Sequence, residues 1–308
     1  MGTYATHPTI DQSAAETVLD PPGDGAGNWI GAPCVHEYDG TQLLAVRERT
    51  PDERGRALRL YRVGDTLTEL WSVTADELGV VSVERPALAT APGTGRLVLY
   101  VPVDHGANQW TIRRLDAVGR PADLDPGTAR DVLTPSAGTT DAVTVKDPYV
   151  LTVGGRYYMF YAGHDGVSEQ AHLATSVDGE TFERVPENPV LGRQYWHDHH
   201  TRVACVRPAP DAPVWQVFYE GSSHTDHGET WNLRTGVATA QRLGDVVDTT
   251  PDGPRYASPT AGTATGVDGF ATLRYLDVAS TADGQEAYYE VARGDGAFEL
   301  RRAPLTDE

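Results

Sequence analysis

The stretch TVKDPYVLTVGGRYYMFYAGHDG, from Thr144 to Gly166, decides the fold of this chain. Two runs rich in β-branched and aromatic residues meet at the pair Gly154–Gly155, which is the pattern of a β-hairpin. After a polar loop come AHLATSV and TFERV, which are joined by an Asp-Gly turn. The segment therefore predicts a unit of four antiparallel strands.

The same order of strands recurs along the chain. The first strand of each copy begins near residue 30, 84, 146, 201 or 258, a spacing of roughly 55 residues that fits one four-stranded propeller blade. In the last copy ASPTAGTAT, GFATLRYLD, AYYEVARGD and FELRRAP fill the four places, so Ala257 opens its first strand. Helical periodicity is almost absent.

Five copies predict an all-β fold, a five-bladed β-propeller of four-stranded antiparallel blades, because a closed ring leaves only short, protected strand edges. We expect a single propeller domain over residues 29–308. Residues 1–28 read as an irregular lead-in that can add an outer strand. Two stacked β-sandwiches are the alternative, which the even fivefold period disfavours.

Charge excludes two classes of partner. The 308 residues contain 44 Asp and Glu against 25 Lys and Arg, a formal net charge of −19, which repels nucleic acid and anionic membrane surfaces. Lys146 is the only lysine. The acid excess with so little lysine favours adaptation to high salt, where carboxylates keep proteins soluble; the alternative is a coding bias that replaces lysine by arginine.

The predicted localisation depends on whether the sequence shows a signal peptide or a membrane-spanning segment. The N-terminal residues have no basic segment followed by an apolar run, and no apolar stretch approaches membrane-spanning length. Cys34 and Cys205 both lie in apolar runs, which predicts buried free thiols. We therefore expect a cytoplasmic protein.

Polar residues collect where first strands should line the central channel. The candidate site residues are Trp29, Arg47, Glu84, Arg85, Asp104, Lys146, Asp147, His164, His199, His200, Arg202, Glu220, Ser258, Arg274 and Tyr275. So many cations around one axis of an acidic protein favour a polar, anionic ligand. The alternative is that they form ion pairs inside the channel, since buried charges must be paired.

The segment from Lys146 to Leu191 resembles a blade of the five-bladed propeller glycosidases. Asp147–Pro148, the aromatic run YYMFY and the motif SVDG carry the resemblance. Those enzymes are glycoside hydrolase families 32, 43 and 130, with the arabinanases, invertases and mannoside phosphorylases. The resemblance covers about a third of the chain well and the remainder only through the repeat.

The resemblance implies paired carboxyl groups, one of which protonates the departing oxygen while the other activates water or attacks carbon. Asp147 matches the Asp-Pro member that orients the substrate in those families. Glu220, beside the aromatic run VFY, is the candidate general acid, because apolar neighbours raise the pKa of a carboxyl group.

The sequence departs from the family pattern at three places. WIGAP, over Trp29–Pro33, has no acid where the first blade of family 43 has an Asp, and HDHHTRVA lacks the Glu of the fourth blade. Glu84–Arg85–Pro86 resembles the Glu-Asp-Pro-Arg site of the phosphorylases with the Asp replaced. Only one of the usual acids therefore stands in its usual place.

Two further motifs need an interpretation. His197, Asp198, His199 and His200 could supply metal ligands, although contacts between His199 or His200 and a sugar are the preferred interpretation. SVDGETF and HTDHGETW resemble the Asp-box turn and are interpreted as turns whose Asp side chain caps the loop backbone.

The sequence thus predicts a carbohydrate-active enzyme that transfers a glycosyl group from a small, preferably anionic, glycoside to water or phosphate. No cofactor is required for this chemistry. The alternatives are a propeller that binds sugar without catalysis, and metal-dependent chemistry at His197–His200.

Overall fold

The computed structural model describes residues 7–224, 232–260, 271–282 and 284–307. Within these residues the only helical segments are three 3₁₀ turns, at Gln12–Ala14, Pro121–Asp123 and Pro126–Thr128. No helix of the described chain has the length and apolar character needed to cross a membrane. The architecture is therefore built from strands.

The strands form sheets that we number as blades one to five in chain order, the count that the sequence predicts. Two short strands come first, β1 (Thr9–Ile10) and β2 (Glu16–Leu19). Blade one holds β3 (Trp29–Tyr38), β4 (Thr41–Arg49), β5 (Ala57–Arg62) and β6 (Thr68–Thr74). Blade two holds β7 (Ser82–Val83), β8 (Ala87–Thr90), β9 (Leu97–Asp104), β10 (Trp110–Arg114) and β11 (Arg130–Leu133).

Blades three to five follow the same order. Blade three holds β12 (Thr144–Val153), β13 (Arg156–His164), β14 (Glu169–Ser176) and β15 (Glu183–Arg184). Blade four holds β16 (His200–Pro208), β17 (Trp215–Ser222), β18 (Arg234–Ala240) and β19 (Val246–Asp248). Blade five holds β20 (Leu273–Thr281), β21 (Gly284–Ala292) and β22 (Phe298–Thr306).

The inner strands of the blades meet around one axis. Strand β3 contacts β8, β8 contacts β12, β12 contacts β16, β16 contacts β20, and β20 returns to β3. Within four of the blades, successive strands pair antiparallel in chain order, and in blade two β7 and β8 both pair antiparallel with β9. The prediction of an all-β propeller made of four-stranded antiparallel sheets is confirmed.

A hydrophobic cluster fills each interface between successive blades. The pattern is clear on β4, where Leu43 and Ala45 pack towards blade two while Leu44 and Val46 pack towards blade five. Successive side chains of a strand point to opposite faces, so a strand between two neighbours needs apolar residues on both. This explains the nearly continuous apolar runs in the second strands.

The first and last strands of the described chain lie in one sheet. Strands β1 and β2 pair antiparallel with β22, and β22 also pairs with β3 through Phe298 and Trp29. The outer edge of blade five is therefore formed by residues from the N-terminal part of the chain. The predicted domain boundary after residue 28 stays a prediction.

The predicted strand order of blade five is wrong. Strand β20 takes the inner position, so Arg274 and Tyr275 lie on a first strand, whereas Ala257 was expected to open it. Tyr256 makes only an isolated bridge to Thr235. The error came from aligning Ser258–Pro259 with the prolines of the other first strands. Most of the predicted strand ASPTAGTAT lies outside the described residues.

Two smaller predictions concern side chains. Cys34 and Cys205 are buried free thiols, as predicted. Asp178 Oδ1 accepts hydrogen bonds from the backbone N–H groups of Glu180 and Thr181 at 2.8 and 2.9 Å, so SVDGETF is a capped turn, as predicted. The similar stretch HTDHGETW lies outside the described residues except for His224.

Candidate functional site

A backbone bulge interrupts the inner strands near the axis. The pairing register shifts between Gly31 and Cys34 in blade one, between Lys146 and Tyr149 in blade three and between Arg274 and Asp277 in blade five. Such bulges re-aim side chains and occur beside active sites.

The residue at each of these bulges has a left-handed backbone. The φ angles are +50° for Ala32, +52° for Asp147 and +54° for Tyr275. This conformation costs of order 1–3 kcal/mol for residues with a side chain and is retained only where the surroundings enforce it. The bulges thus place Ala32, Asp147 and Tyr275 in corresponding positions, and only blade three presents an acid there.

Arg202 is the centre of a buried ion-pair network. Its Nη1 lies 2.6 Å from Asp147 Oδ2, and its Nη2 lies 2.5 Å from Glu220 Oε2. The Tyr275 hydroxyl accepts a hydrogen bond from Arg202 Nη1 at 3.2 Å, and the guanidinium carbon lies 4.6 Å from the Tyr275 ring centroid. One cation therefore links blades three, four and five.

Both carboxylate oxygens of Glu220 are engaged. Oε2 accepts from Arg202 Nε and Nη2, and Oε1 accepts from the backbone N–H of Tyr275. Glu220 is 1% exposed. Its predicted role as general acid stays a prediction, and this geometry makes it first of all the carboxylate that positions Arg202.

Asp147 has one oxygen without a hydrogen-bond partner. Its Oδ2 binds Arg202, while its buried Oδ1 has no partner among the described residues. Burial raises the pKa of Asp147 above its ordinary value, and the charges of Arg202 and Lys146 oppose that shift. The pKa of Asp147 is therefore higher than that of an ordinary Asp, although its Oδ2 is ion-paired with Arg202.

Lys146 connects Asp147 with a carboxylate that the sequence analysis missed. Its Nζ lies 2.6 Å from Glu169 Oε1 and 4.0 Å from Asp147 Oδ2. Although burial opposes it, the charges of Lys146 and Arg202 hold the pKa of Glu169 well below its ordinary value. Glu169 lies opposite His164 in the pairing of β13 with β14, and that register was the signal that could have revealed it.

A pocket of about 210 Å³ opens at the N-terminal ends of β12 and β16. The residues that line it are Arg54, Asn108, Thr144, Lys146, His164, Val167, Glu169 and His200. Of these, Lys146, His164 and His200 were predicted, and Arg54, Asn108 and Glu169 were not. The remaining predicted residues do not line this pocket.

Two histidines of the pocket present the same ring nitrogen as a donor. The backbone N–H of Glu169 donates to His200 Nδ1 at 2.8 Å, and that of Gly166 donates to His164 Nδ1 at 2.9 Å. An imidazole that accepts at Nδ1 carries its proton at Nε2. Burial lowers the pKa of His200 to about 3, so this ring is neutral at physiological pH.

A second ion-pair group lies towards blades one, two and five. Glu290 Oε2 lies 3.1 Å from Arg47 Nη2, and Glu290 Oε1 lies 2.6 Å from Arg274 Nη2. Arg47 Nε lies 3.6 Å from Glu84 Oε2. The Trp29 ring packs beside Arg47 and Arg274, with 5.5 and 4.8 Å from its centroid to the guanidinium carbons.

Arg85 crosses the axis and bonds to backbone. Its Nε and Nη2 donate to the carbonyl of Pro33 at 3.2 and 3.1 Å, and Nη1 donates to the carbonyl of Ala204 at 2.7 Å. Arg85, Arg202 and Arg274 are each less than 3% exposed. Ligand binding by these arginines stays a prediction. Their observed contacts are with carboxylates, aromatic rings and backbone carbonyls of the protein, which agrees with the alternative that the channel cations form internal pairs.

The described residues of the histidine cluster have separate partners, and metal binding there stays a prediction. His197 bonds through Nδ1 to Thr201 Oγ1 at 2.8 Å, whereas the ring of His199 packs on His200 and His224 at centroid distances of 4.0 and 4.1 Å. Across the described part of the chain, no group of three His, Cys, Asp or Glu residues is arranged to hold a metal ion.

Two predicted residues are engaged in local turns. Asp104 Oδ1 accepts from the Gly106 N–H at 2.9 Å, and Ser258 Oγ accepts from the Thr260 N–H at 3.2 Å. Their predicted contacts with a ligand stay predictions.

Comparisons with solved structures agree with this architecture. A structure named glycoside hydrolase matches with 15% identity and a TM-score of 0.71, over 97% of this chain and 93% of the other. An α-L-arabinanase from Penicillium chrysogenum, complexed with arabinobiose, matches with 13% identity and a TM-score of 0.62, over 98% of each chain. A third match, at 13% identity and a TM-score of 0.67, covers 97% of this chain and 94% of the other. Its description concerns the GH130 family of mannoside phosphorylases and its hydrolases that target β-1,2-mannosidic linkages in Candida mannan.

The chain has the fold of the propeller glycosidases. The predicted resemblance to this group is confirmed at the level of fold, which is what likeness at 13 to 15% identity shows. No protein-family model matches the chain, and no curated protein sequence matches it.

Proposed function

We propose that this protein is a carbohydrate-active enzyme that holds one small sugar unit in the pocket beside Lys146. The observation that carries the proposal is the pocket itself, a polar recess at the ends of two inner strands of a glycosidase-type propeller. Its 210 Å³ lies below the roughly 300–1,000 Å³ of drug-sized sites, so it suits a small ligand.

The polar groups of the pocket match the needs of sugar hydroxyls, which both donate and accept hydrogen bonds. The Nε2–H groups of His164 and His200 and the ammonium of Lys146 are donors. The ionised carboxylate of Glu169 is an acceptor. A sugar unit placed here would exchange hydrogen bonds with both kinds of group.

The pKa values of Asp147 and Glu169 are shifted in opposite directions, which is the difference that an acid and a base in glycosyl transfer need. Burial raises the pKa of Asp147, whereas Lys146 and Arg202 lower that of Glu169, and both carboxylates lie near the same Arg202 nitrogen, at 2.6 and 3.7 Å. Groups with opposite shifts suit an acid and a base. Asp147 adjoins the lining residue Lys146 at 4.0 Å and does not itself line the pocket, so we assign to it the proton given to a departing oxygen that reaches past Lys146. To Glu169, which lines the pocket, we assign the proton taken from the attacking water; attack by phosphate would not require that base.

A second candidate function is sugar binding without turnover. Ala32 occupies the bulge of blade one, where family 43 has an acid, and Glu220 is fully engaged with Arg202 and Tyr275. Both features remove carboxyl groups from substrate chemistry while leaving the pocket intact.

Turnover of a panel of aryl glycosides, with and without phosphate, tests the enzyme, and calorimetric titration with the parent sugars tests binding. We expect Asp147→Asn to lower kcat by about 100-fold or more, the usual contribution of general acid catalysis, with binding retained. Glu169→Gln should weaken both turnover and sugar binding. Glu183→Gln, which alters an exposed Glu on β15, should change neither turnover nor sugar binding.

Three outcomes separate the candidates. Turnover that disappears in Asp147→Asn supports the enzyme. Binding without turnover in the unaltered protein assigns the second function. A protein that binds none of the sugars, or whose binding is the same in Glu169→Gln, contradicts the proposed pocket.

A further inference from the structure

Three arginines surround the buried Trp29 ring where blade one meets blade five. The distances from the ring centroid to the guanidinium carbons are 4.0 Å for Arg49, 4.8 Å for Arg274 and 5.5 Å for Arg47. We call Trp29 with these three residues the Trp29 cluster. The sequence analysis did not single out Arg49.

The cluster carries more positive than negative charge. Glu290 pairs with both Arg47 and Arg274, and Glu84, 3.6 Å from Arg47, lies also 3.7 Å from Arg54 and is therefore shared. Arg49 has no ion pair and no side-chain hydrogen bond with any residue that the structure describes, and its buried Nε has no partner there. In a chain of net charge −19, a half-buried arginine without a carboxylate is an unusual feature.

Arg47 adds a donor without a partner at greater depth, since its Nε is ion-paired with Glu84 Oε2 at 3.6 Å whereas no described residue accepts from its Nη1. The residue is 0% exposed, yet its Nε and Nη1 make no hydrogen bond with the described residues. Leaving a buried charged group with unused donors costs free energy, which a bound anion would recover. Burial and repulsion from Arg47 lower the pKa of Arg49 to about 10, as expected where positive charge is not neutralised.

The cluster adjoins the sugar pocket. Glu84 lies between Arg47 and Arg54, and Arg54 lines the pocket together with Lys146. The Trp110 ring lies beside both of these cations, with 5.5 Å from its centroid to Arg54 Cζ and 5.9 Å to Lys146 Nζ. A ligand in the pocket that carries an anionic substituent could reach the cluster past Arg54.

We infer that the Trp29 cluster is an oxyanion-binding subsite that receives the carboxylate or phosphate group of the sugar held in the pocket. This inference rests on the proposed function and narrows its substrate class to acidic sugars. The guanidinium group suits this task because its planar array of donors matches the oxygens of carboxylate and phosphate. Stacking on Trp29 holds the Arg49 guanidinium in place for that contact.

Calorimetric titration at fixed ionic strength tests the inference with three pairs of probes. Glucuronate is compared with glucose, galacturonate with galactose, and glucose 1-phosphate with glucose. Inorganic phosphate alone is a further probe. The uronate and phosphate arms distinguish the two sources of the oxyanion.

The variants isolate the charge of Arg49. We expect the unaltered protein to bind the acidic member of at least one pair about tenfold more tightly, the effect of one charge-assisted hydrogen bond. Arg49→Gln should abolish that preference and leave affinity for the neutral sugar unchanged. Arg96→Gln, which removes the same charge at an exposed position, should keep it.

Glu84→Gln provides a test that a folding defect cannot imitate. It removes the carboxylate that competes for Arg47 and Arg54, so affinity for the preferred acidic probe should rise about tenfold. Thermal unfolding of each variant confirms that it is folded before titration.

The outcomes separate this inference from the proposed function. Equal binding of acidic and neutral sugars, or a preference that persists in Arg49→Gln, overturns the subsite while the sugar pocket stands. Inorganic phosphate that binds through Arg49 without any sugar binding supports the subsite and rejects the proposed function. Absence of binding by every probe rejects both.

Discussion

Lys146 holds two carboxylates with one ammonium group. Its Nζ lies 2.6 Å from Glu169 Oε1 and 4.0 Å from Asp147 Oδ2, a spacing that suits a compact charge on a flexible stem. A guanidinium instead presents several donors in one plane, as Arg202 does when its Nε and Nη2 both donate to Glu220 Oε2. The single lysine of the chain therefore has a task for which the arginines used elsewhere are less suited.

Gly31 gives the first residue-scale prediction. A Cβ atom at this position would lie 2.6 Å from Glu290 Oε2 and 2.7 Å from Glu290 Cβ, and Glu290 holds Arg47 and Arg274. Gly31→Ala should therefore lower the free energy of unfolding by about 1–3 kcal/mol, the usual effect of overpacking. Urea denaturation measures the change.

Gly119→Ala is the matched control, because nothing lies within 4 Å of its added Cβ. The two alanine variants should differ by more than 1 kcal/mol, about the lower limit of the overpacking effect. Equal stabilities would show that Glu290 moves aside freely and that its ion pairs do not depend on the packing at Gly31.

At the scale of elements, the inner strands show what the sequence could and could not predict. Asp147–Pro148 placed the first strand of blade three correctly, because this pair lies within β12, although the sequence did not predict the bulge there. Tyr275 marks the corresponding bulge of blade five without a proline, so alignment on Ser258–Pro259 placed the first strand too early. A left-handed residue in a strand has no reliable local signal unless it is glycine or asparagine.

The candidate site was predictable only in part for a related reason. Channel positions were found because first strands repeat, which identified Lys146, Asp147 and Arg202. Glu169 lies on the third strand and enters the site through its pairing opposite His164. Contacts between blades, such as that of Glu169 with Arg202, depend on how sheets pack and not on the order of residues within one sheet.

Strand β1 gives the prediction for closure of the ring. Ile10 is 6% exposed and packs in the cluster between blades four and five, while its strand pairs with β22. Ile10→Ala should reduce the free energy of unfolding by about 2–4 kcal/mol through the lost burial and the cavity. Val247→Ala, at a position that is 62% exposed, should change it by less than about 0.5 kcal/mol.

Chemical denaturation followed by fluorescence compares the two variants. If Ile10→Ala were as stable as Val247→Ala, packing of the N-terminal strand β1 would contribute nothing to the stability of the propeller. A large difference would show that residues from the start of the chain help to hold blades four and five together.

At the scale of the whole molecule, stability should depend on pH through buried histidines. Burial lowers the pKa of His36 from 6.5 to about 4, and its Nε2 bonds to Thr90 Oγ1 at 2.8 Å. Between these two values the unfolded chain binds more protons than the folded protein. The contribution of neutral His36 to the free energy of unfolding is therefore fully present above pH 6.5 and is lost as the pH falls towards 4.

His36→Gln removes this titration while retaining a polar partner for Thr90. We expect its difference in unfolding free energy from the unaltered protein to be constant above pH 6.5 and to shift in favour of the variant as the pH falls to 4. Urea titrations at a series of pH values give both curves. Parallel curves across the whole range would contradict a buried neutral His36.

The central claim is that two neighbouring blades of the propeller bring Lys146, Glu169 and His200 together into one sugar pocket. Crystals soaked with a panel of neutral and acidic monosaccharides test it most directly. We predict a sugar ring that contacts all three residues at the N-terminal ends of β12 and β16. A sugar found only elsewhere, for instance in the surface recess beside Tyr158 and Trp215, would contradict the account.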